Sequence, residues 1–321
     1  MGPDFPEQTR LELLADVGRP YAQVEVLGRT LAGNREFPIY SFKIGSDNPE
    51  HPTFGLFGGV HGLERVGTHV ALAYLESIVA QLRWDQDLKE RFKHIRLVSI
   101  PLINPGGMYL GTRCNPNGVD IMRNSPVEAM GDTQPLLAGH RISPKLPWYR
   151  GAEGREMELE SKILADFVEK EMFQAQSSLA LDIHSGFGFQ DRLWYPYAKT
   201  KAPFPRLSEV ENLKRLLDSS YPNHIYRVEP QSINYTTHGD MWDYLFDQHL
   251  AKNGVGDKVF IPWTLEIGSW LWIRKNPRQL FSALGPFNPI KVHRRRRTMR
   301  RHLPLLDFML RAVNNYPAWK R

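Results

Sequence analysis

Six short runs of apolar, β-branched or aromatic residues punctuate the chain, at Tyr21 to Leu27, Phe37 to Ile44, Thr53 to Val60, Ile95 to Ile103, Ser178 to His184 and Lys258 to Ile267. Runs of this length between turn residues are strand signals. Between them the period changes. From Arg65 to Trp84 the apolar positions Val70, Tyr74, Ile78 and Leu82 recur every four residues, the stripe of a helix lying on a sheet, and Leu159, Ile163 and Phe167 repeat it later. Strands interleaved with helices predict an α/β fold, a central sheet sandwiched by helices. Asn104 to Arg155, rich in Pro and Gly and without sustained period, is too long for a passive connection and is expected to supply binding loops.

With 321 residues and 41% hydrophobic content, the chain can bury a large core. No repeat, linker or composition break divides it, so one domain is expected over residues 1–321, with its core at about 21–315. No stretch of 18 apolar residues exists, and Met1 to Pro20 carries acidic residues where a leader would be greasy. The expectation is a soluble, cytoplasmic protein with no membrane partner. One cysteine, Cys114, excludes an internal disulfide, fits a reducing compartment and reads as a small buried hydrophobe.

The net charge of +6 equals the contribution of Arg294, Arg295, Arg296, Arg297, Arg300 and Arg301, just ahead of the helical stretch LPLLDFMLRAV. Such a cluster can touch nucleic acid or an acidic surface. It has no interleaved aromatic platform and no nucleic-acid motif, so it reads as a solvated face or an oligomer contact. No specific nucleic-acid partner is expected, and the oligomeric state stays open.

Three strand-like runs end in residues with ligand or base chemistry: FGLFGGVHGLE with His61 and Glu64, SLALDIH with His184, and VFIPWTLE with Glu266. In open α/β sheets the ligand crevice lies beyond the carboxyl ends of the strands, so the three endings can meet. A catalytic zinc needs nitrogen and oxygen donors converging on one point with a position left for water. Two histidines and a glutamate meet that need, with Glu266 left over. Taken singly, His61 and Glu64 read equally well as a loop histidine and a carboxylate at a helix start.

The chain resembles the zinc carboxypeptidase family, the carboxypeptidase A-like metallopeptidases, from about Val24 to the C-terminal helix. VLGRTLAGNREFPIYSFKIG is similar to the family's opening strands, HGLE to its metal pair, NPNGVDIMRN to its G-V-D-x-N-R-N stretch, and YRGAEGREMELESKILADFV to its substrate loop and following helix. DIHSGFGFQDRLWYPY resembles its third-ligand strand, NYTTHGDMWDY its Y-x-x-x-G-x-x-x-D segment, and WTLEIG its catalytic glutamate strand, all in the family's order. The resemblance implies a single-domain α/β/α sandwich around a mixed, mostly parallel twisted sheet. It implies one Zn²⁺ per chain on His61, Glu64 and His184, with Glu266 as the base acting on water at the metal. It further implies that Asp120 orients His61, that Arg113 holds the oxyanion, that Arg123 grips the substrate's terminal carboxylate and that Tyr235 closes over the substrate. Around KNGVGDK an extra loop departs from the family pattern.

Other departures touch the substrate and leave the metal alone. Met122 stands where the digestive-type pattern has asparagine before Arg123, and it has no N–H for a carboxylate. Leu63 replaces a frequent arginine. Trp242 takes the position at the floor of the side-chain pocket and is expected to shorten it; Asp240 is close enough to leave an acidic floor open. No propeptide precedes the domain, which predicts no zymogen control. The leading reading is a zinc metallocarboxypeptidase acting on peptides. The alternative, kept alive by Met122, is a zinc amidohydrolase of N-acyl amino acids, similar to succinylglutamate desuccinylase and aspartoacylase. A third reading is a binding protein using the arginine cluster or a dead metal site.

Overall fold

Every residue of Thr53–Gly58, Arg96–Ile100 and Ser177–Ser185 is buried, as expected of strands covered by helices on both faces. The protein's structure, a computed structural model, describes residues 5–256 and 258–320. Residues 1–4 and 321 of the expected domain, and Asp257 of the KNGVGDK loop, lie outside the described residues.

In chain order the strands are β1 Gln23–Ala32, β2 Arg35–Gly45, β3 Thr53–Gly58, β4 Arg96–Ile100, β5 Ser177–Ser185, β6 Arg192–Tyr195, β7 Arg227–Pro230 and β8 Val259–Ile267. The helices are α1 Pro6–Gly18, α2 Arg65–Gln81, α3 Gln86–Phe92, α4 Pro105–Leu110, α5 Leu159–Met172, α6 Leu207–Ser220, α7 Met241–Asn253, α8 Trp270–Lys275, α9 Val292–Asn314 and α10 Tyr316–Trp319. The strands form one sheet in the order β1-β2-β4-β3-β5-β8-β6-β7. Its centre, β4-β3-β5-β8, is parallel. Antiparallel pairings join β1 to β2, β2 to β4 and β6 to β8. This is the mixed, mostly parallel α/β architecture expected.

Each of the six strand runs is present with shifted ends. β1 continues past Leu27 to Ala32, slipping register between Val26 and Gly28, before the hairpin into β2. β4 stops at Ile100, ahead of Pro101, whose missing N–H cannot extend the ladder. Two four-residue strands, β6 and β7, escaped the hydrophobic pattern because they carry Arg192, Arg227, Glu229 and Pro230.

The stripe is buried throughout: Val70, Tyr74 and Ile78 on α2, and Leu82 at its C-cap. On α5, Ile163 and Phe167 are buried but Leu159 is 47% exposed, a correction to the periodic reading; it is the helix's first residue and has no turn before it to pack. The arginine cluster also differs from expectation, lying inside α9 instead of ahead of it.

The approach of α2 to β5 is what brings two chain-distant site residues together. An ideal β-carbon on Gly67, in the first turn of α2, would lie 2.1 Å from the carbonyl oxygen of Ile183, the residue before His184. Gly67→Ala gains up to about 1 kcal/mol of helix propensity, yet overpacking here should cost roughly 1–3 kcal/mol. The expected result is a net loss of stability in denaturant unfolding and weaker metal binding, because the helix carrying Glu64 is pushed off the strand carrying His184. A variant as stable as the parent and binding metal as tightly contradicts that packing argument.

Candidate metal centre and active site

His61 sits in the loop after β3, Glu64 at the N-cap of α2, and His184 near the end of β5. Although 123 residues apart in the chain, the Nδ1 atoms of His61 and His184 lie 3.3 Å apart. Glu64 Oε1 is 2.9 Å from His61 Nδ1, and its Oε2 is 3.2 Å from His184 Nδ1. The three donor atoms all lie within 4.8 Å of one another and are buried. Two imidazole nitrogens and a carboxylate at this separation fit a zinc ion with donor distances of about 2.0–2.2 Å.

The far side of each ring is held in the same way. His61 Nε2 is 3.0 Å from Asp120 Oδ1, and His184 Nε2 is 2.8 Å from Asp182 Oδ2. A carboxylate accepting from Nε2–H leaves the Nδ1 lone pair facing the common point, the arrangement that orients metal-binding histidines. Burial works against charge on Asp120, but Arg113 and His61 outweigh it and hold the carboxyl well below its usual range. Burial likewise opposes protonation of His184, and Asp182 and Glu64 raise it well above the usual imidazole value.

Asp182 was not singled out in the sequence, although two residues before His184 on one strand it must share that residue's face. Its Oδ2 also accepts the indole N–H of Trp242 at 3.0 Å. Trp242 therefore does not do what its position suggested. It is absent from the cavity lining; it lies on the buried side of α7, with its ring 5.2 Å from Phe57, and fixes Asp182 from behind. Trp242→Phe keeps the packing and removes only the N–H. It is expected to loosen zinc about 10-fold, toward the range seen for such outer partners, read by competition with a chelator. Unchanged affinity contradicts the role of this contact.

Glu266 stands on β8 in register with His184 of β5. Its Oε1 accepts the Phe187 N–H at 3.0 Å. Burial, and then the nearby Glu64 carboxylate, push its carboxyl up to about 8. A divalent cation at the three donors would draw it back toward the ionised form that a base needs.

Arg113 Nε donates to Asp120 Oδ2 at 2.8 Å, and its Nη1 approaches Glu64 Oε1 at 3.4 Å, which leaves the guanidinium beside the donor set. Arg123 is 4% exposed; among the described residues its Nε has no hydrogen-bond partner, and its one ion pair, to Asp240 Oδ2, is long at 3.7 Å. Asp240 Oδ1 is occupied in capping α7 through the N–H groups of Trp242 and Asp243. A buried, under-satisfied guanidinium is costly unless a ligand completes it. Met122 is buried on the cavity wall, offering only its backbone N–H, which goes to Asp120.

These residues line a cleft of about 840 Å³, the size of a small-molecule or peptide-end site. Half-buried Tyr235 lies there with its ring centroid 6.0 Å from Phe187 and 6.3 Å from Trp194. Phe187, in the loop after β5, and Trp194, on the unrecognised β6, were not singled out in the sequence. The loops between Asn104 and Arg155 contribute as expected, bringing Arg113, Met122, Arg123, Gln134 and Trp148 to the walls. Cys114 lines the cleft as a thiol pushed up to about 12 by burial, consistent with a packing role.

The profile of the zinc carboxypeptidases matches residues 12–266. Among curated proteins, carboxypeptidase SOL1 of Arabidopsis thaliana is 31% identical over 104 residues, which cover 31% of this chain and 20% of that protein. The chain thus spans about a fifth of the length of that relative. Bovine thrombin-activatable fibrinolysis inhibitor, solved with tick carboxypeptidase inhibitor, superposes with a TM-score of 0.66 at 16% identity, covering 96% of this chain and 95% of that one. A metallo-carboxypeptidase from Pseudomonas aeruginosa, solved with (2-guanidinoethylmercapto)succinic acid, superposes with a TM-score of 0.56 at 15% identity, covering 96% and 69%. At these identities the structures establish a shared fold.

Proposed function

The chain belongs to the zinc carboxypeptidase family, and on that footing we propose that it is a zinc-dependent metallocarboxypeptidase, one catalytic domain that hydrolyses the C-terminal peptide bond of peptides. The observation that carries this reading is the buried gathering of His61, Glu64 and His184 with Glu266 on the adjoining strand. Zinc held by those donors would supply a Lewis acid for the scissile carbonyl and bring the pKa of water to about 7.

The chain's own residues do the rest. Glu266 takes the proton of the attacking water and delivers it to the departing amine. Arg113, fixed through Nε by Asp120, turns its remaining N–H groups to the oxygen on which charge develops, a contribution worth a factor of about 10² or more. Arg123 receives the substrate's terminal carboxylate, which can meet two N–H groups of one guanidinium at once. Tyr235, with Phe187 and Trp194, closes the apolar side of the cleft. Asp120 and Asp182 hold the two histidine tautomers. The single cysteine supports a reducing compartment, the cytoplasm, as its location.

One observation favours a second reading on the same centre. Met122 supplies no side-chain donor beside Arg123, so recognition of a free C-terminus rests on one residue that already faces Asp240. A deacylase that grips its N-acyl amino acid chiefly through the acyl group, leaving the carboxylate to Arg123 alone, accommodates that loss. The zinc-loaded protein, given blocked dipeptides and longer peptides alongside N-acetyl and N-succinyl amino acids, is expected to release C-terminal residues from the peptides with kcat/KM at least about tenfold higher. The reverse ranking assigns the deacylase, and release from neither set removes the enzyme reading.

A further inference from the structure

From Ile267 to Leu306 the chain carries ten lysines and arginines and no aspartate or glutamate. That exceeds the net +6 of the whole protein, so the remainder is net acidic. In the fold the stretch is one block made of α8, the 3-10 turn Pro277–Phe281, the loop that follows and the first half of α9. Gln279 Nε2 ties it together by donating to the carbonyls of Gly285 and Asn288 at 2.6 and 2.7 Å, and Arg294 Nη1 reaches the Trp272 carbonyl at 3.2 Å. Arg274, Lys275, Arg278, Lys291, Arg295 and Arg296 are exposed. Among the described residues, the block's one cation in an ion pair is Arg301, 3.3 Å from Asp191.

The same block carries the most exposed large apolar side chain among the described residues. Phe281 is 93% exposed, and Leu280, Val292, Ile290 and Trp270 are between 42% and 54% exposed. We propose that this block docks the protein onto a lipid bilayer rich in anionic headgroups. Like charges at i, i+4, as in Arg296 with Arg300, repel, and the positive end of the α9 dipole adds to that cost. An anionic surface relieves both. Basic residues next to protruding aromatic and aliphatic ones are what an interfacial anchor needs, the cations meeting headgroups while Phe281 and Leu280 enter the acyl boundary. A polynucleotide satisfies the cations but offers nothing to Leu280, Val292 and Ile290, which have no ring to stack on bases. No helix among the described residues is long and apolar enough to cross a membrane, so the attachment is to the surface.

The test is co-sedimentation of the full chain with vesicles of phosphatidylcholine alone and of phosphatidylcholine mixed with phosphatidylglycerol. Binding to the mixed vesicles is expected to be at least about tenfold tighter and to weaken with salt. The pair Leu280→Ser with Phe281→Ser, and the triple Arg295→Gln, Arg296→Gln and Arg297→Gln, should each lose about tenfold or more, with circular dichroism and peptide hydrolysis unchanged. Equal binding to both vesicles overturns the proposal. So does tighter binding to a single-stranded oligonucleotide that is insensitive to the Leu280 and Phe281 changes, or a dimer in sedimentation velocity that those changes dissociate. None of the overturning outcomes depends on the zinc reading.

Discussion

Glu266→Gln is expected to lower kcat by about 10²–10⁴ while the protein still binds one zinc per chain. The amide matches the carboxylate in size, and its carbonyl oxygen can still accept the Phe187 N–H that now meets Oε1 at 3.0 Å. What it cannot do is take a proton from water. KM should change little, since the residue is given no part in ground-state binding. Peptide hydrolysis by stopped assay and zinc by atomic absorption read the two halves. If the variant keeps more than about a tenth of the parent rate, the proton acceptor is another group.

The second large effect is on the metal itself. His61→Ala removes one donor of three and strips Asp120 and Glu64 of the imidazole between them, leaving two buried carboxylates bridged by the Arg113 guanidinium. After dialysis the variant is expected to retain no zinc, and hydrolysis should fall to background. Chelation of the parent should give the same loss, and added zinc should restore the parent but not the variant. Activity persisting in the chelated parent excludes the zinc mechanism.

How far the sequence reached is clearest at particular residues. His61, Glu64, His184 and Glu266 were legible because each closes an apolar run, and strand ends of a parallel sheet converge by geometry. Which contacts the outer residues make depends on how elements pack, and there the reading failed in part. Trp242 was placed by position in a motif, but the side of α7 on which it falls is set by packing against Phe57 and Asp182. Asp182 carried a usable signal, two residues from a candidate ligand on a strand. β6 and β7 had none, since four-residue strands with charged residues fall below any periodicity. The Arg123–Asp240 pair joins the 3-10 turn Ile121–Arg123 to the cap of α7 over more than a hundred residues of chain, a distance local patterns do not span.

The most direct measurement is a crystal structure of the zinc-loaded protein with anomalous data across the zinc edge. A single strong peak at about 2.0–2.2 Å from His61 Nδ1, His184 Nδ1 and a Glu64 oxygen, with Glu266 beside the remaining coordination position, is the expected result. A peak on other residues, or none at these three in zinc-saturated crystals, contradicts the assignment of the centre and the chemistry built on it.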